Sequence, residues 1–395
     1  MKSFSVTSSI TPSMTRRHLA ATGMAALLGA CSIIPRGAEP ASRPVEPAPT
    51  PTPSASDLPV DTDRHRVALL VPMSGDNGAV GQAIANATTM AILDTSAQNL
   101  RITTYDTSAD ARDAARRAVA DGNKLILGPL MGGNVASVMA EARPAGVPMI
   151  SFSNDAAVAS PDVFVMGHIP EQSIARSVNY AHARGANNFA ILAPDGEYGQ
   201  RAEAALRQTL AGFGGRFVDR EVYDRGNTSI TSAAQRLAGR GIYDAVVIAD
   251  GARLSAQGAG PLRAGQQKPL IIGNELWSGE ASVTRASALR EAIFSAVPDE
   301  RYKRFFDSYE ARFGSQPYRI ATLGYDAVLL VLRIANDWRV GRDFPASQLY
   351  DEGGFLGLDG PFRFARNGVV QRAMEVREVR GDRVVIVEAA PQAFD

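Results

Sequence analysis

The chain has 395 residues, a length that suggests two or three domains, and 45% of them are hydrophobic, too many for a disordered chain. Its 41 basic and 41 acidic residues cancel, which argues against a nucleic-acid-binding protein, because such proteins carry a basic surface. The chain contains one cysteine, Cys31, which excludes an intramolecular disulfide and a cysteine-rich zinc or iron–sulfur site.

The first 30 residues have the pattern of an export signal. Arg16 and Arg17 precede an apolar stretch, residues 19–28, which is too short to span a bilayer. A positive segment, a short apolar segment and small residues after it predict a signal peptide over residues 1–30. The two arginines also resemble a twin-arginine signal, so that export route and ordinary export both remain open.

Residues 28–31 resemble a bacterial lipoprotein signal. The sequence Leu28-Gly29-Ala30-Cys31 is similar to the lipobox, in which leucine and two small residues precede a cysteine. The resemblance implies cleavage before Cys31 and diacylglycerol on its sulfur; the alternative is a free cysteine that follows a signal by chance. Ser32 comes next, and the resemblance implies the outer membrane for lipoproteins without aspartate there. We therefore expect a periplasmic protein anchored by lipid to the outer membrane.

Residues 31–64 have the composition of a disordered tether. Eight prolines, with Ala, Ser, Thr and Glu between them, lie from Pro35 to Val60. Such a segment cannot bury a core. It is either a spacer that holds a folded domain away from the membrane or a linker without a selected length.

From residue 65 the chain alternates strands and helices. The first predicted strands are Arg66–Val71, Leu100–Tyr105, Lys124–Gly128, Pro148–Phe152 and Val163–Met166, and the helices among them are Val80–Leu93, Ala109–Ala120 and Gly133–Ala142. The pattern then restarts with helices Glu171–Arg184, Gln200–Leu210 and Ser229–Ala238 and strands Asn188–Leu192, Gly215–Val222, Asp244–Ile248 and Pro269–Ile272. Continuous apolar strands between amphipathic helices indicate parallel sheets covered on both faces.

The last third has a different pattern. It is predicted to contain helices Arg301–Phe313 and Ala321–Trp338, then strands Pro361–Ala365 and Val369–Val379 around the hairpin turn Asn367-Gly368, and a last strand Val384–Glu388. We expect an α/β protein with two doubly wound lobes joined by a hinge and a C-terminal β-hairpin or meander. The folded domain would cover 65–395, with lobe 1 at about 65–166 and 280–340 and lobe 2 at about 167–279 and 341–395.

Motifs of catalysis are missing from the sequence. There is no Gly-x-Ser-x-Gly elbow, no Ser-x-x-Lys pair and no phosphate-binding loop. His168 and His182, beyond the predicted tether, have no cysteine partner for a metal site. We therefore expect a protein that is not an enzyme and that has no cofactor and no metal.

Four stretches carry a resemblance to a known family. Residues 67–75 (VALLVPMSG), 124–130 (KLILGPL), 145–154 (AGVPMISFSN) and 195–199 (DGEYG) resemble, in order, segments of type I periplasmic binding proteins of the leucine/isoleucine/valine-binding group. The resemblance implies a ligand in a cleft between two lobes. It also implies a role as the substrate-binding subunit of an ABC transporter for branched-chain or other amino acids.

One branch of that group has further similar features. The lipobox, the proline-rich tether, Gly128-Pro129-Leu130, Phe152-Ser153-Asn154 and residues 359–368 resemble lipoproteins of the penicillin-binding protein activator type. The resemblance implies that the protein engages a peptidoglycan synthase and regulates peptidoglycan synthesis instead of serving a transporter.

Polar and aromatic residues at the predicted strand ends are the candidate cleft residues. They are Ser74, Asp106, Gly132, Gly133, Ser151, Ser153 and Asn154 in the first lobe and Asp195, Tyr198, Asp250, Asn274, Glu275 and Trp277 in the second. The resemblance implies that Ser153 and Asn154 hold a ligand carboxylate and that Tyr198 stacks on the ligand. Gly132 and Gly133 stand where the family has a hydroxyl, and Asp250 is offset from the position of the acid that pairs with a ligand ammonium.

Each candidate also has a structural interpretation. The residues Ser151, Ser153 and Asn154 could cap their own turn, Asp195 could be a helix N-cap, and Tyr198 and Trp277 could be core aromatics. Two partners therefore remain open, a penicillin-binding protein that synthesises peptidoglycan and an ABC permease, with an amino acid as a candidate small ligand. We expect no nucleic-acid partner and contact with a membrane through the lipid anchor only.

Overall fold

The computed structural model describes residues 62–394, so the predicted signal peptide, Cys31 and most of the predicted tether lie outside the described residues. The first elements in chain order are β1 His65–Val71, α1 Gly78–Thr95, β2 Leu100–Asp106, α2 Ala111–Ala120, β3 Leu125–Leu127, α3 Val135–Ala142, β4 Met149–Ser151 and β5 Val163–Val165. Next come α4 Pro170–Ala183, β6 Asn188–Pro194, α5 Glu197–Phe213, β7 Arg216–Tyr223, α6 Ser229–Ala238, β8 Ala245–Ile248, α7 Ala252–Ala264, β9 Leu270–Ile272, α8 Ser282–Arg285 and β10 Ile293–Ala296. The last are α9 Glu300–Phe313, α10 Thr322–Ala335, β11 Phe355–Gly357, β12 Gly360–Phe364, β13 Val370–Arg372, β14 Glu375–Arg380 and β15 Arg383–Glu388.

The strands form three sheets. The first sheet has the order β2-β1-β3-β4-β5 and is parallel. The second has the order β15-β14-β10-β9-β8-β6-β7 and is parallel except at β14 and β15. The third is the antiparallel sheet β11-β12-β13. The predicted α/β fold, with two parallel sheets and antiparallel C-terminal strands, is confirmed.

The chain passes three times between the two lobes, at residues 166–169, 297–299 and 373–374. The first lobe contains the first sheet and also the third, because Phe362 and Val370 of the third sheet pack into the same core as β1. The second lobe contains the second sheet, including β10. These positions correct the expected boundaries, which gave 280–340 to lobe 1 and 341–395 to lobe 2. The predicted strand Val369–Val379 is divided as well, since the third passage separates β13 from β14.

Two glycines allow a helix to start close to the strand before it. A Cβ added to Gly81 in α1 would lie 1.7 Å from the carbonyl oxygen of Pro72, just after β1. A Cβ added to Gly199 in α5 would lie 1.9 Å from the carbonyl oxygen of Pro194, at the end of β6. Any other side chain would push the helix away from the strand end. Each lobe therefore begins with the same kind of tight strand-to-helix turn.

Charged and polar side chains, buried or partly buried, cluster beside the passages between the lobes. We call this group the hinge cluster, and its members are His168, Arg319, Thr322, Asp326, Asp359 and Arg372. Asp359 is fully buried, and its Oδ2 lies 2.7 Å from Nε2 of His168 and accepts a hydrogen bond from Thr322 at 2.9 Å. Nη1 of Arg319 donates to its Oδ1 at 2.5 Å. Burial alone would raise the pKa of Asp359, but the nearby cations, Arg319 first, lower it.

The hinge cluster ties the first and third sheets to the first passage. Nη2 of Arg372, at the end of β13, donates to the carbonyl oxygen of Met166 at 2.7 Å. Asp326 on α10 accepts hydrogen bonds from the amides of Leu358 and Asp359 at 2.6 and 3.3 Å. Burial, and then repulsion by Asp359, raises the pKa of Asp326 above its ordinary value.

Candidate functional site

The candidate site lies at the carboxyl ends of the strands in the first and second sheets, where open parallel sheets bind ligands. Loops after β1, β2, β3 and β4 form the rim of the first lobe, and loops after β6, β7, β8 and β9 form the rim of the second. The rims meet where Nη2 of Arg201 on α5 donates to the carbonyl oxygen of Asn154, in the loop after β4, at 2.6 Å. We call the region between the rims the cleft.

Asp106 fixes the first loop of the first-lobe rim. Its Oδ1 accepts hydrogen bonds from the amide of Met73 at 2.9 Å and from the hydroxyl of Ser108 at 2.6 Å. The Ser108 oxygen accepts a further one from the amide of Ser74 at 2.9 Å. These bonds, led by those of Ser108, lower the pKa of Asp106. Asp106 therefore positions the loop, while Ser74 itself is exposed on it.

The serines after β4 bond to their own loop. The buried hydroxyl of Ser151 donates to the carbonyl oxygen of Pro129 at 3.1 Å. Oγ of Ser153 accepts a hydrogen bond from the amide of Asp155 at 3.0 Å and would lie 2.9 Å from a Cβ on Gly132. Glycine at 132 therefore makes room for Ser153. These contacts fit the interpretation in which the serines cap their own turn.

Gly133 is the open part of this rim. It is exposed, and a Cβ added there would meet no heavy atom within 4 Å. The residue therefore leaves space on the rim, where a larger side chain would fit without moving the backbone.

Tyr198 is joined to two polar residues that follow β9. Its hydroxyl donates to Oε1 of Glu275 at 3.0 Å and accepts a hydrogen bond from Nδ2 of Asn274 at 3.0 Å. Burial, the largest cause, raises the pKa of Glu275 to about 7. Oε2 of Glu275 is buried and has no hydrogen-bond partner among the described residues. Three of the predicted cleft residues are thus brought together, with one acceptor atom left over.

Both carboxylate oxygens of Asp250 already accept hydrogen bonds from within the chain. Its Oδ2 accepts from the hydroxyl of Tyr223 at 2.6 Å and from Nε of Arg225 at 2.8 Å, and its Oδ1 accepts from the amide of Gly251 at 2.7 Å. The guanidinium of Arg225 also lies 5.2 Å from the ring centroid of Tyr198. The cation that a ligand ammonium would supply to Asp250 is therefore already present as Arg225.

Two other predicted cleft residues have structural contacts. Oδ1 of Asp195 accepts from the amide of Gly196 at 2.9 Å, and the N-cap of α5 is Gly196 instead of Asp195. Trp277 is 1% exposed, packs in the core of the second lobe and donates from Nε1 to the carbonyl oxygen of Asp250 at 3.0 Å. The structure therefore places Trp277 in the core and not on the cleft surface.

Sequence reasoning missed Tyr223, Arg225 and Arg201. Tyr223 ends β7, the position at which polar residues were sought after other strands. Arg201 lies three residues after Tyr198 on α5, so helical spacing places the two on one face of the helix. Neither pattern identifies the hydrogen-bond partner of these residues, because the partners come from distant parts of the chain.

The described part of the chain contains neither a metal-binding group nor a membrane-spanning helix. Within residues 62–394, no group of three or more His, Cys, Asp or Glu side chains is arranged to hold a metal ion. No helix of that range has the length and apolar character needed to cross a membrane.

Comparison with known proteins gives one family and several relatives. A family described as "Periplasmic binding protein" matches residues 65–383. An uncharacterised protein of Rickettsia prowazekii is 27% identical over 173 residues, which are 43% of this chain and 46% of that protein. Penicillin-binding protein activator LpoA of Glaesserella parasuis is 23% identical over 334 residues, 82% of this chain and 55% of that protein. The chain thus spans about half the length of the curated relatives it matches.

Solved structures share the fold at low identity. The substrate-binding protein LivJ of Streptococcus pneumoniae, solved with isoleucine, has a TM-score of 0.63 at 20% identity, covering 83% of this chain and all of that one. A branched-chain amino acid ligand-binding protein of Burkholderia xenovorans has a TM-score of 0.65 at 17% identity, with 83% and 96% covered. The C-domain of LpoA from Haemophilus influenzae, a regulator of PBP1A, has a TM-score of 0.64 at 20% identity, with 82% and 99% covered.

Proposed function

This chain belongs to the periplasmic binding protein family, and we propose that within it the chain is a lipoprotein that regulates a peptidoglycan synthase, like penicillin-binding protein activators. Membership of the family implies a periplasmic or envelope location. The family and its structural relatives are binding proteins and not enzymes. The proposal adds the partner, a penicillin-binding protein, and the anchor, diacylglycerol on Cys31 at the outer membrane.

The contacts of Asp250 carry the proposal. A bound amino acid presents an ammonium group, and burying it without a carboxylate costs several kcal/mol. The Asp250 carboxylate already accepts from Tyr223, Arg225 and a backbone amide. An incoming ammonium would compete with Arg225, which already supplies a positive charge to this carboxylate. This arrangement favours a protein whose task is not the transport of an amino acid.

The relatives also support a regulator of a peptidoglycan synthase. The activator from Glaesserella parasuis aligns with 82% of this chain, and the Haemophilus influenzae C-domain has the same fold. Because the chain spans 55% of the Glaesserella protein, the synthase as partner is carried over as part of the proposal.

The second candidate is a carrier of amino acids that docks on an ABC permease. The observation that favours it is Oε2 of Glu275, which is buried and has no hydrogen-bond partner among the described residues. The other oxygen, Oε1, accepts a hydrogen bond from the hydroxyl of Tyr198 at 3.0 Å. Oε2 would accept a hydrogen bond from a ligand ammonium without displacing Arg225.

One pair of measurements separates the two candidates. The full-length protein would be screened by thermal shift against leucine, isoleucine and valine. It would then serve as bait in a pull-down from membrane extract, which tests whether it captures the host's bifunctional penicillin-binding proteins. We expect no rise in melting temperature with any amino acid, together with capture of a synthase whose glycan polymerisation speeds up. A saturable rise with an amino acid, which tight binding produces by mass action, would overturn the proposal, as would failure to bind or stimulate every synthase.

A further inference from the structure

Arg201 contacts both lobes at once. On its own side it is fixed by Glu171 in the first turn of α4, with Nε 2.7 Å from Oε1 and Nη2 2.9 Å from Oε2. On the other side, Nη2 donates to the carbonyl oxygen of Asn154 at 2.6 Å. The Arg201 side chain is 18% exposed, so most of it is withdrawn from water. A single guanidinium therefore connects the rim of the first lobe to two helices of the second.

The two-point contact with Glu171 makes this connection strong. A bidentate pair fixes the plane of the guanidinium, so little freedom remains to be lost when Nη2 meets the carbonyl group. Burial alone would lower the pKa of Arg201, but the attraction of Glu171, with Asp155 and Glu197, raises it. The group therefore stays charged, and hydrogen bonds from a charged donor are stronger than those between neutral groups.

In a two-lobed binding fold, a ligand closes the lobes because it touches both and binds the closed state better than the open one. The Arg201 side chain makes that same pair of contacts without being a separate molecule. We propose that Arg201 is a built-in ligand, which holds the lobes closed when no solute is present. The inference concerns the lobes alone, so it holds or fails independently of the partner that the protein regulates.

Removal of the Arg201 side chain should open the lobes. In Arg201→Ala, the ratio of open to closed molecules should rise about tenfold, the change that corresponds to about 1.4 kcal/mol. Arg201→Lys keeps the charge but loses the bidentate contact, so its effect should be intermediate. Glu171→Gln keeps Arg201 but weakens its anchor and should open the lobes in the same direction.

Double electron–electron resonance between two spin labels would measure the opening of the lobes in the absence of any ligand. Spin labels would be attached at Asp76→Cys and Thr228→Cys, exposed residues on the rim loops of the first and second lobes, in a Cys31→Ser background. Arg207→Ala is the matched control: it lies on the same helix, but it pairs with Glu203 and is 51% exposed. The distance distribution of Arg207→Ala should equal that of the parent protein.

If the distances in folded Arg201→Ala equal those in Arg207→Ala, Arg201 does not hold the lobes closed. Circular dichroism checks the fold of each variant, and if Arg201→Ala is unfolded, Glu171→Gln decides: unchanged distances there overturn the inference, and longer ones support it.

Discussion

The Glu275 carboxyl group lies on the rim of the second lobe and accepts a hydrogen bond from the hydroxyl of Tyr198. Burial raises its pKa to about 7, whereas the ordinary value in an unfolded chain is 4.5. Between about pH 4.5 and 7 the folded state therefore binds more protons here than the unfolded state does. By linkage, the contribution of Glu275 to the free energy of unfolding falls as pH rises through that window.

We expect Glu275→Gln to remove this dependence. The amide oxygen can still accept from Tyr198, but the side chain never becomes charged. Between pH 5 and pH 8, the free energy of unfolding of the variant should rise relative to that of the parent protein by on the order of 1–3 kcal/mol, since each unit of pKa is worth about 1.4 kcal/mol. Chemical denaturation at the two pH values measures the change. Glu280→Gln, an exposed residue after the same strand, is the control and should leave the pH dependence unaltered; an equal effect of both would contradict the assignment.

The sequence located the acids at the strand ends but not their partners. Asp250 follows a buried apolar strand, and that pattern alone placed it on the second-lobe rim. Its cation, Arg225, lies 25 positions earlier, and only the pairing of β6 with both β7 and β8 brings them together. For Trp277 the sequence left a cleft and a core position open, because a tryptophan after a strand has the same pattern in either case, and the structure places it in the core.

At the scale of elements, the turn from β6 into α5 positions both Tyr198 and Arg201. We expect Gly199→Ala to disturb it, because the new Cβ would lie 1.9 Å from the carbonyl oxygen of Pro194. The helix would have to move, at a cost of about 2 kcal/mol or more in the free energy of unfolding. Denaturant unfolding measures the loss.

Gly212→Ala provides the matched control on the same helix. A Cβ there meets no heavy atom within 4 Å, and alanine favours the helix by up to about 1 kcal/mol over glycine. This variant should be as stable as the parent protein or more so. If Gly199→Ala were equally well tolerated, the close approach would not constrain the turn.

Elements were predictable where one pattern dominated. Most strands inside the two parallel sheets are apolar runs, and the bounds of these were found within two residues: β1, β3, β4, β6, β8 and β9. Helix α7 was missed because its sequence contains Gly258, Gly260 and Pro261, which normally indicate a loop. Strand β10 was also missed, although other strands of three or four residues were found. The division between β13 and β14 was missed because no glycine or proline interrupts the residues 370–380.

At the scale of the whole molecule, the proposed anchor determines where the binding domain works. We expect Cys31→Ser, in the full chain, to move the protein from the membrane fraction to the soluble periplasmic fraction. The two acyl chains of the diacylglycerol supply the membrane affinity, so without them membrane attachment should be lost almost completely. Fractionation with immunoblotting measures the distribution.

Ser32→Asp tests the destination separately from the attachment. The lipoprotein resemblance implies that aspartate after the cysteine retains the protein at the inner membrane. This variant should stay in the membrane fraction but change density on a sucrose gradient. Membrane attachment that persists in Cys31→Ser would contradict the lipid anchor.

The hinge cluster also restricts how this protein can evolve. Asp359 is fully buried and faces Arg319, His168 and, at 3.9 Å, Arg372. Loss of one member leaves a buried charge without compensation, which typically costs 3–5 kcal/mol, whereas loss of all to apolar residues can be neutral. A lineage that changes this junction must therefore pass through unstable single substitutions. Descendants of this sequence should keep the group intact or replace it as a set.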